Sequence, residues 1–203
     1  AQGQVAKLSI PLVIASEKLQ LGLNSLLPDD IRIWQCTSCQ ADFNPNKQSI
    51  SKKYRYYFST DRISSPLLNR IVAHVPSILE GVQSNAELDL ESMKRSCKLF
   101  IGEHDFYSFA SRDQNISSTS RTINRLEMKR TDALGLDAEI YYIEIEGNGF
   151  LKHMVRFIVG ALFEVGRHVI DDEDIRQALC NRNEMKLSAK AKARGLHLIE
   201  ITY

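Results

Sequence analysis

The sequence predicts an α+β fold, an antiparallel sheet with helices packed on one face, and three observations predict it. Apolar residues recur at three- and four-residue steps in several windows, which is the helical period. Two long runs, residues 121–129 and 138–146, are separated by a glycine-containing turn and mark a hairpin. The elements follow one another as strand, helix and hairpin, without the strict alternation that builds a parallel sheet.

Each element has its own signal. Residues 4–10 are expected to form a strand, followed by a helix that Ser16 begins and Pro28 stops, with Leu19, Leu23, Leu26 and Leu27 on one face. Strands are expected over 31–36 and 54–59. Between residues 64 and 87 the periodicity fades into Pro66, Pro76, Gly81 and polar residues, the mark of a long surface excursion. Leu90, Met93, Cys97, Phe100 and Ile101 describe a helix capped by Asp89 and ended by Gly102. After the hairpin, Leu151, Met154, Val155, Ile158, Leu162 and Val165 give another helix, with Gly166 placed to end it. Asp171 or Asp172 opens a helix through Ile175 and Leu179, and residues 196–203 close the chain as a strand. No repeat and no low-complexity tract interrupts this order. The expected division is residues 1–62, an excursion over 63–88, and residues 89–203.

Composition narrows the class. A chain of 203 residues that is 43% hydrophobic and 25% charged has the balance of a soluble globular protein. Its net charge of +1 gives no general reason to expect nucleic acid, but local clustering does. Lys52, Lys53 and Arg55 surround Tyr54; Arg121, Arg125 and Lys129 fall on one face of a strand by simple alternation; Lys190, Lys192 and Arg194 precede the last strand. The cysteines, at 36, 39, 97 and 180, include one Cys-x-x-Cys pair but no second pair to complete a zinc site. No metal, free thiols and a reducing cytoplasm are therefore expected. The longest apolar stretch is too short to cross a bilayer, so no membrane partner is expected.

The most informative residue is Arg156, a lone arginine inside the apolar helix over Leu151 to Val165. Its guanidinium cannot lose its proton, so in a packed interior it must meet a carboxylate or phosphate. Asn148 and the glycines at 147 and 149 make the turn that enters this helix.

The string Gly-Asn-Gly-Phe-Leu-x-His-Met-Val-Arg-x-Ile-Val-Gly, read from Gly147 to Gly160, resembles the signature of the TruA family of tRNA pseudouridine synthases. Four further stretches resemble the family in the same order. They are Asn24 to Ile31, Lys53 to Tyr56, Gly102 to Phe109, and Gly195 to Leu198 with the terminal Ile201-Thr202-Tyr203. The resemblance implies a pseudouridine synthase type of fold, isomerisation of uridine in the anticodon stem-loop of tRNA, no cofactor, and a homodimer. By position, Arg156 resembles the arginine that holds the family's nucleophilic aspartate. Tyr54 resembles the tyrosine that stacks on the target base, and Leu196 the apolar residue on its other side. Lys53, Arg55, Arg121 and Lys192 are the cations this reading gives to RNA.

The family's aspartate sits in Gly-Arg-Thr-Asp-Ala-Gly-Val-His-Ala, and Ala1 to Val5 resembles the continuation of that motif from its last alanine. The aspartate is thus expected ahead of Ala1, and the 203-residue chain alone is expected to be inactive. Arg130-Thr131-Asp132-Ala133 spells the motif's core inside the chain, but Leu134 replaces the glycine and residues 134–137 read as a turn. Two positions depart from the family: Asn46 where an arginine is usual, and Lys192 where Ala-Pro-Ala would place a proline. A second reading is an RNA-binding or dimerising module without catalysis, in which Tyr54 and Tyr56 form a stacking platform.

Overall fold

The computed structural model describes residues 1–75, 88–113, 116–132, 138–181 and 186–203. The expected turn at residues 134–137 and most of the excursion, residues 76–87, lie outside them. The chain divides into two compact units, one made of Ala1–Gln4 with Ser49–Tyr203, the other of Val5–Gln48.

The larger unit is built on a six-stranded sheet. Its strands are β1 (Ser51–Ser59), β2 (Ala73–His74), β3 (Gly102–Asp105), β4 (Ser120–Thr131), β5 (Ile140–Gly147) and β6 (Leu196–Thr202). The path runs β2-β1-β5-β4-β3, and β6 also pairs with β1. All pairings are antiparallel except β1 with β2, where Phe58 and Ser59 run parallel to Ala73 and His74. The sheet is therefore mixed, a correction to the antiparallel expectation. The same two-residue strand corrects the surface excursion, because Leu68, Val72, Ala73 and Val75 around it are buried.

One face of the sheet is the core. Tyr56 and Phe58 of β1, Ile123, Leu126 and Met128 of β4, and Ile143 and Ile145 of β5 point inward. Against them packs α3 (Met154–Gly166), whose Phe163 ring meets Tyr56 and Phe58 edge-on at 6.1 and 5.1 Å. Ile158, Val159 and Leu162 on α3 are fully buried, each stabilising by roughly 1.5–3 kcal/mol through burial. Two shorter helices, α2 (Leu90–Ser96) and α4 (Asp172–Cys180), close the same side, and α4 begins with a capping box in which Asp171 and Asp174 serve each other's backbone.

The N-terminus of α2 carries a cap. Asp89 accepts from the Ser92 backbone N–H at 2.9 Å and from its hydroxyl at 2.6 Å. These bonds, the hydroxyl first, hold the Asp89 carboxyl below its usual range. A depressed carboxyl stabilises the fold above its unfolded pKa and loses that contribution as pH falls through the lower folded value. Asp89→Ala is expected to cost about 1 kcal/mol at neutral pH. In urea titrations its difference from wild type should shrink once pH drops below the ordinary value of 3.8.

The smaller unit holds α1 (Ser16–Leu26), preceded by Ala15 without a side-chain cap, so Ser16 is not the capping residue. No residue of α1 is buried, and Leu8, Leu12, Val13, Leu21, Leu26 and Trp34 are exposed. The strands expected over 4–10 and 31–36 are absent. An extended segment becomes a strand only when a neighbour supplies a ladder. Over 31–36 the polar partners come instead from α1: Asn24 donates to the Ile33 carbonyl at 3.0 Å and accepts its N–H at 2.8 Å. Gln20 donates to the Ile33 and Trp34 carbonyls.

Candidate active site

At one end of the core face, three segments meet around Arg156. The turn Asn148 to Lys152 leads from β5 into α3, with the Asn148 side chain accepting the Thr122 N–H at 3.0 Å to fix it beside β4. His153, the residue before the helix, has left-handed backbone (φ 63), which costs a non-glycine residue on the order of 1 kcal/mol. Ser111 holds it there, its N–H donating to the Lys152 carbonyl at 2.9 Å and its hydroxyl sharing a 2.8 Å bond with His153 Nδ1. Burial, then the charges of Lys190, Arg156 and Lys152, keep the His153 imidazole below its ordinary pKa.

Arg156 lies in the first turn of α3 and is half-buried. Its Nε donates to the Ala191 carbonyl at 2.7 Å, and the Ala191 N–H donates back to the Arg156 carbonyl at 3.0 Å. No carboxylate among the described residues pairs with it, so the two terminal nitrogens of the fork have no anionic partner there. This is an unusual state for a half-buried guanidinium, whose desolvation is normally offset by a carboxylate.

The loop that receives Arg156 is itself pinned. The Tyr56 hydroxyl donates to the Lys192 carbonyl at 2.9 Å. Burial raises the Tyr56 pKa, and the charges of Arg156 and Arg194 oppose this, which places both cations near the phenol. Gly195 follows, where a Cβ would stand 2.6 Å from the Tyr57 carbonyl and 2.7 Å from the Tyr56 ring, so only glycine fits. Leu196, half-buried, then pairs in register with Tyr56, and Leu198 with Tyr54.

Tyr54 is half-buried on the core face, its ring edge-on to Phe150 at 5.2 Å. Burial raises its pKa, so its hydroxyl stays neutral at ordinary pH. The first residues of the chain also reach this neighbourhood. Gln2 donates its N–H to the Leu198 carbonyl at 2.8 Å, and Gly3 lies so close to β6 that a Cβ there would stand 2.5 Å from the Ile199 carbonyl oxygen.

The cations proposed for RNA separate into two groups. Lys53 and Arg55 project from the opposite face of β1 to Tyr54. Lys53 pairs with Glu200 at 2.7 Å, and Arg55 with the buried Glu144 at 2.6 Å while stacking on Tyr142 at 4.8 Å. The expected single face for Arg121, Arg125 and Lys129 is a correction. An irregularity between Ile123 and Arg125 puts Arg121 on the core face and Arg125 and Lys129 on the other, where both pair with Glu127 at 2.6 Å. Arg121 instead donates to the Ser118 and Ser120 carbonyls beside Gly149. Lys192 is exposed on the pinned loop.

Tyr56 cannot belong to a stacking platform, because it is 0% exposed and its hydroxyl is used. Asp132 is exposed just past the end of β4, at the opposite end from the Asn148 turn, and pairs with Arg130 at 3.9 Å. All four cysteines are free, and burial pushes the Cys97 thiol up to about 12. Sequence reasoning missed Phe150 and Ala191. An aromatic between a glycine turn and a helix is a signal that could have found Phe150; a backbone carbonyl leaves none.

Comparison with known proteins bears on what this arrangement belongs to. The family profile described as tRNA pseudouridine synthase matches residues 96–203. "tRNA pseudouridine synthase A 2" of Desulfotalea psychrophila is 41% identical over 201 residues, covering 99% of this chain and 74% of that protein. "tRNA pseudouridine synthase A" of Acetivibrio thermocellus is 35% identical over 203 residues, covering 100% and 77%. Its counterpart in Bacillus pumilus is 34% identical over 203 residues, covering 100% and 76%. The chain belongs to the TruA family of tRNA pseudouridine synthases.

Proposed function

We propose that this chain carries most of the active site of an enzyme that isomerises uridine to pseudouridine in the anticodon stem-loop of tRNA. The observation that carries the reading is the Arg156 fork, half-buried, fixed through Nε and without a carboxylate among the described residues. In this reading its partner is an aspartate that the motif resemblance puts ahead of Ala1. Residues just before Ala1 would run beside Leu196, because Gln2 and Gly3 ascend along β6 from Leu198.

The chemistry follows from that pairing. The uracil N1 to ribose C1′ bond breaks, the base rotates, and C5 joins C1′ while its hydrogen leaves as a proton and N1, freed from the sugar, takes up a proton. An ionised aspartate supplies the nucleophile or base, and a fixed guanidinium keeps its pKa low and its oxygens aimed. The target base must leave its stack, at a cost of a few kcal/mol. Tyr54 offers an aromatic face braced by Phe150, and Leu196 an apolar contact opposite. Arg121 and Lys192 lie on this side as phosphate contacts. Lys53 and Arg55, already paired with carboxylates, contribute less to RNA attraction. No cofactor is needed. The homodimer and the cytoplasmic location belong to this reading.

Release of tritium from tRNA labelled at uridine C5 tests the proposal. A chain carrying the Gly-Arg-Thr-Asp motif ahead of Ala1 should release it, and the 203-residue chain should not. No release from either sinks the reading. Release by the 203-residue chain sinks the placement of the aspartate and turns attention to Asp132.

A further inference from the structure

We propose that Lys152 and Lys190, gathered with His153 around Arg156, form a phosphate-binding rim that grips the RNA backbone beside the extruded uridine. The inference rests on RNA being the substrate and adds a binding site to that reading.

The outer face of the sheet and the start of α3 differ in how their charges are matched. On the outer face of the sheet, Lys53, Arg55, Arg125 and Lys129 each pair with Glu200, Glu144 or Glu127 at 2.6–2.7 Å. Such a surface is nearly neutral to an approaching polyanion. Around the start of α3 the pattern reverses. Among the described residues, Lys152, Arg156 and Lys190 form no ion pair, and the fold brings them close: Lys152 leads through His153 into the helix of Arg156, and Lys190 adjoins the Ala191 that bonds Arg156 in both directions. Unpaired cations such as Lys52 and Lys98 occur elsewhere on the chain, but these three stand together beside the proposed site.

The cluster is also held in position by polar contacts. Lys152 and His153 are tied to Ser111 by bonds of 2.9 and 2.8 Å. Lys190 adjoins Ala191, which is locked to Arg156 by bonds in both directions. The next carbonyl, that of Lys192, is held by Tyr56. Two exposed ammonium groups on held backbone beside Arg156 suit a flipped nucleotide, whose neighbouring phosphates must stay put while the base turns.

The test is the salt dependence of tRNA binding. Lys152→Gln with Lys190→Gln should weaken affinity roughly tenfold at moderate salt and lower the slope of log affinity against log salt by about 1–2, one for each phosphate no longer neutralised. Arg125→Gln with Lys129→Gln, on the paired outer face, should leave both unchanged. The proposal is overturned if the rim variant binds like wild type, if the outer-face variant loses as much, or if wild-type binding is insensitive to salt. Pseudouridine formation is read separately, on the chain that carries the Gly-Arg-Thr-Asp motif ahead of Ala1. Rim-dependent binding without any pseudouridine would defeat the catalytic reading and leave the rim standing, whereas normal turnover with rim-independent binding would defeat the rim alone.

Discussion

Arg156→Lys, in a chain that carries the aspartate motif, is expected to lower pseudouridine formation by on the order of 100-fold or more while tRNA affinity stays within a few fold. The magnitude is that of one lost preorganised donor, roughly 3 kcal/mol. Lysine keeps the charge, so long-range attraction for RNA persists. What it loses is the planar fork: Arg156 spends Nε on the Ala191 carbonyl and still has two nitrogens for a carboxylate. A single ammonium cannot satisfy the carbonyl and aim both oxygens of an aspartate together. Single-turnover rates at saturating tRNA measure the chemical step apart from binding. Near-normal rates would remove Arg156 from the ion-pair role.

The second large effect is expected from Gly160→Ala. Gly160 lies on the face of α3 that meets the loop before β6; an added Cβ would overlap the Ala189 carbonyl oxygen and come within 2.7 Å of the Ser188 hydroxyl. The helix is packed into the core on its other sides, so the loop must yield. Overpacking of this kind costs about 1–3 kcal/mol. The functional loss should be larger than the stability loss implies, because the displaced loop carries Ala191 and Lys192 and leads into Leu196. Denaturant midpoints and turnover measured on the same variant separate the two effects. Unchanged turnover alongside lowered stability would mean that the loop's position does not matter to the site.

How far the sequence could be read depends on whether a feature is local. α3 was legible because its apolar residues keep a helical period from Leu151 to Val165 and Gly166 lies at its end. The Asp89 cap was legible because capping joins residues only three apart. β2 was not, since two residues become a strand only through the Ser59 and Phe58 backbone beside them. The two false strands in residues 4–36 have the converse cause: apolar extended sequence does not reveal whether a ladder partner exists. The irregularity at Asn124 reversed the faces of β4, so alternation counted from Arg121 led to the wrong side for Arg125 and Lys129.

The site divides along the same line. A lone arginine in an apolar helix could be singled out from its neighbours alone, and Tyr54 and Leu196 came from resemblance by motif. The bond from Arg156 to a backbone carbonyl, the Phe150 edge under Tyr54 and the convergence of Lys152 with Lys190 all depend on two segments meeting, and no window of sequence contains both.

The central claim is that the Arg156 fork is held open for a carboxylate. A crystal structure of the chain with the aspartate motif ahead of Ala1 measures this directly. The account predicts that carboxylate at about 2.7–2.9 Å from the terminal nitrogens of Arg156, with the bond to the Ala191 carbonyl retained. A guanidinium turned to solvent, with the aspartate lodged elsewhere, would contradict it.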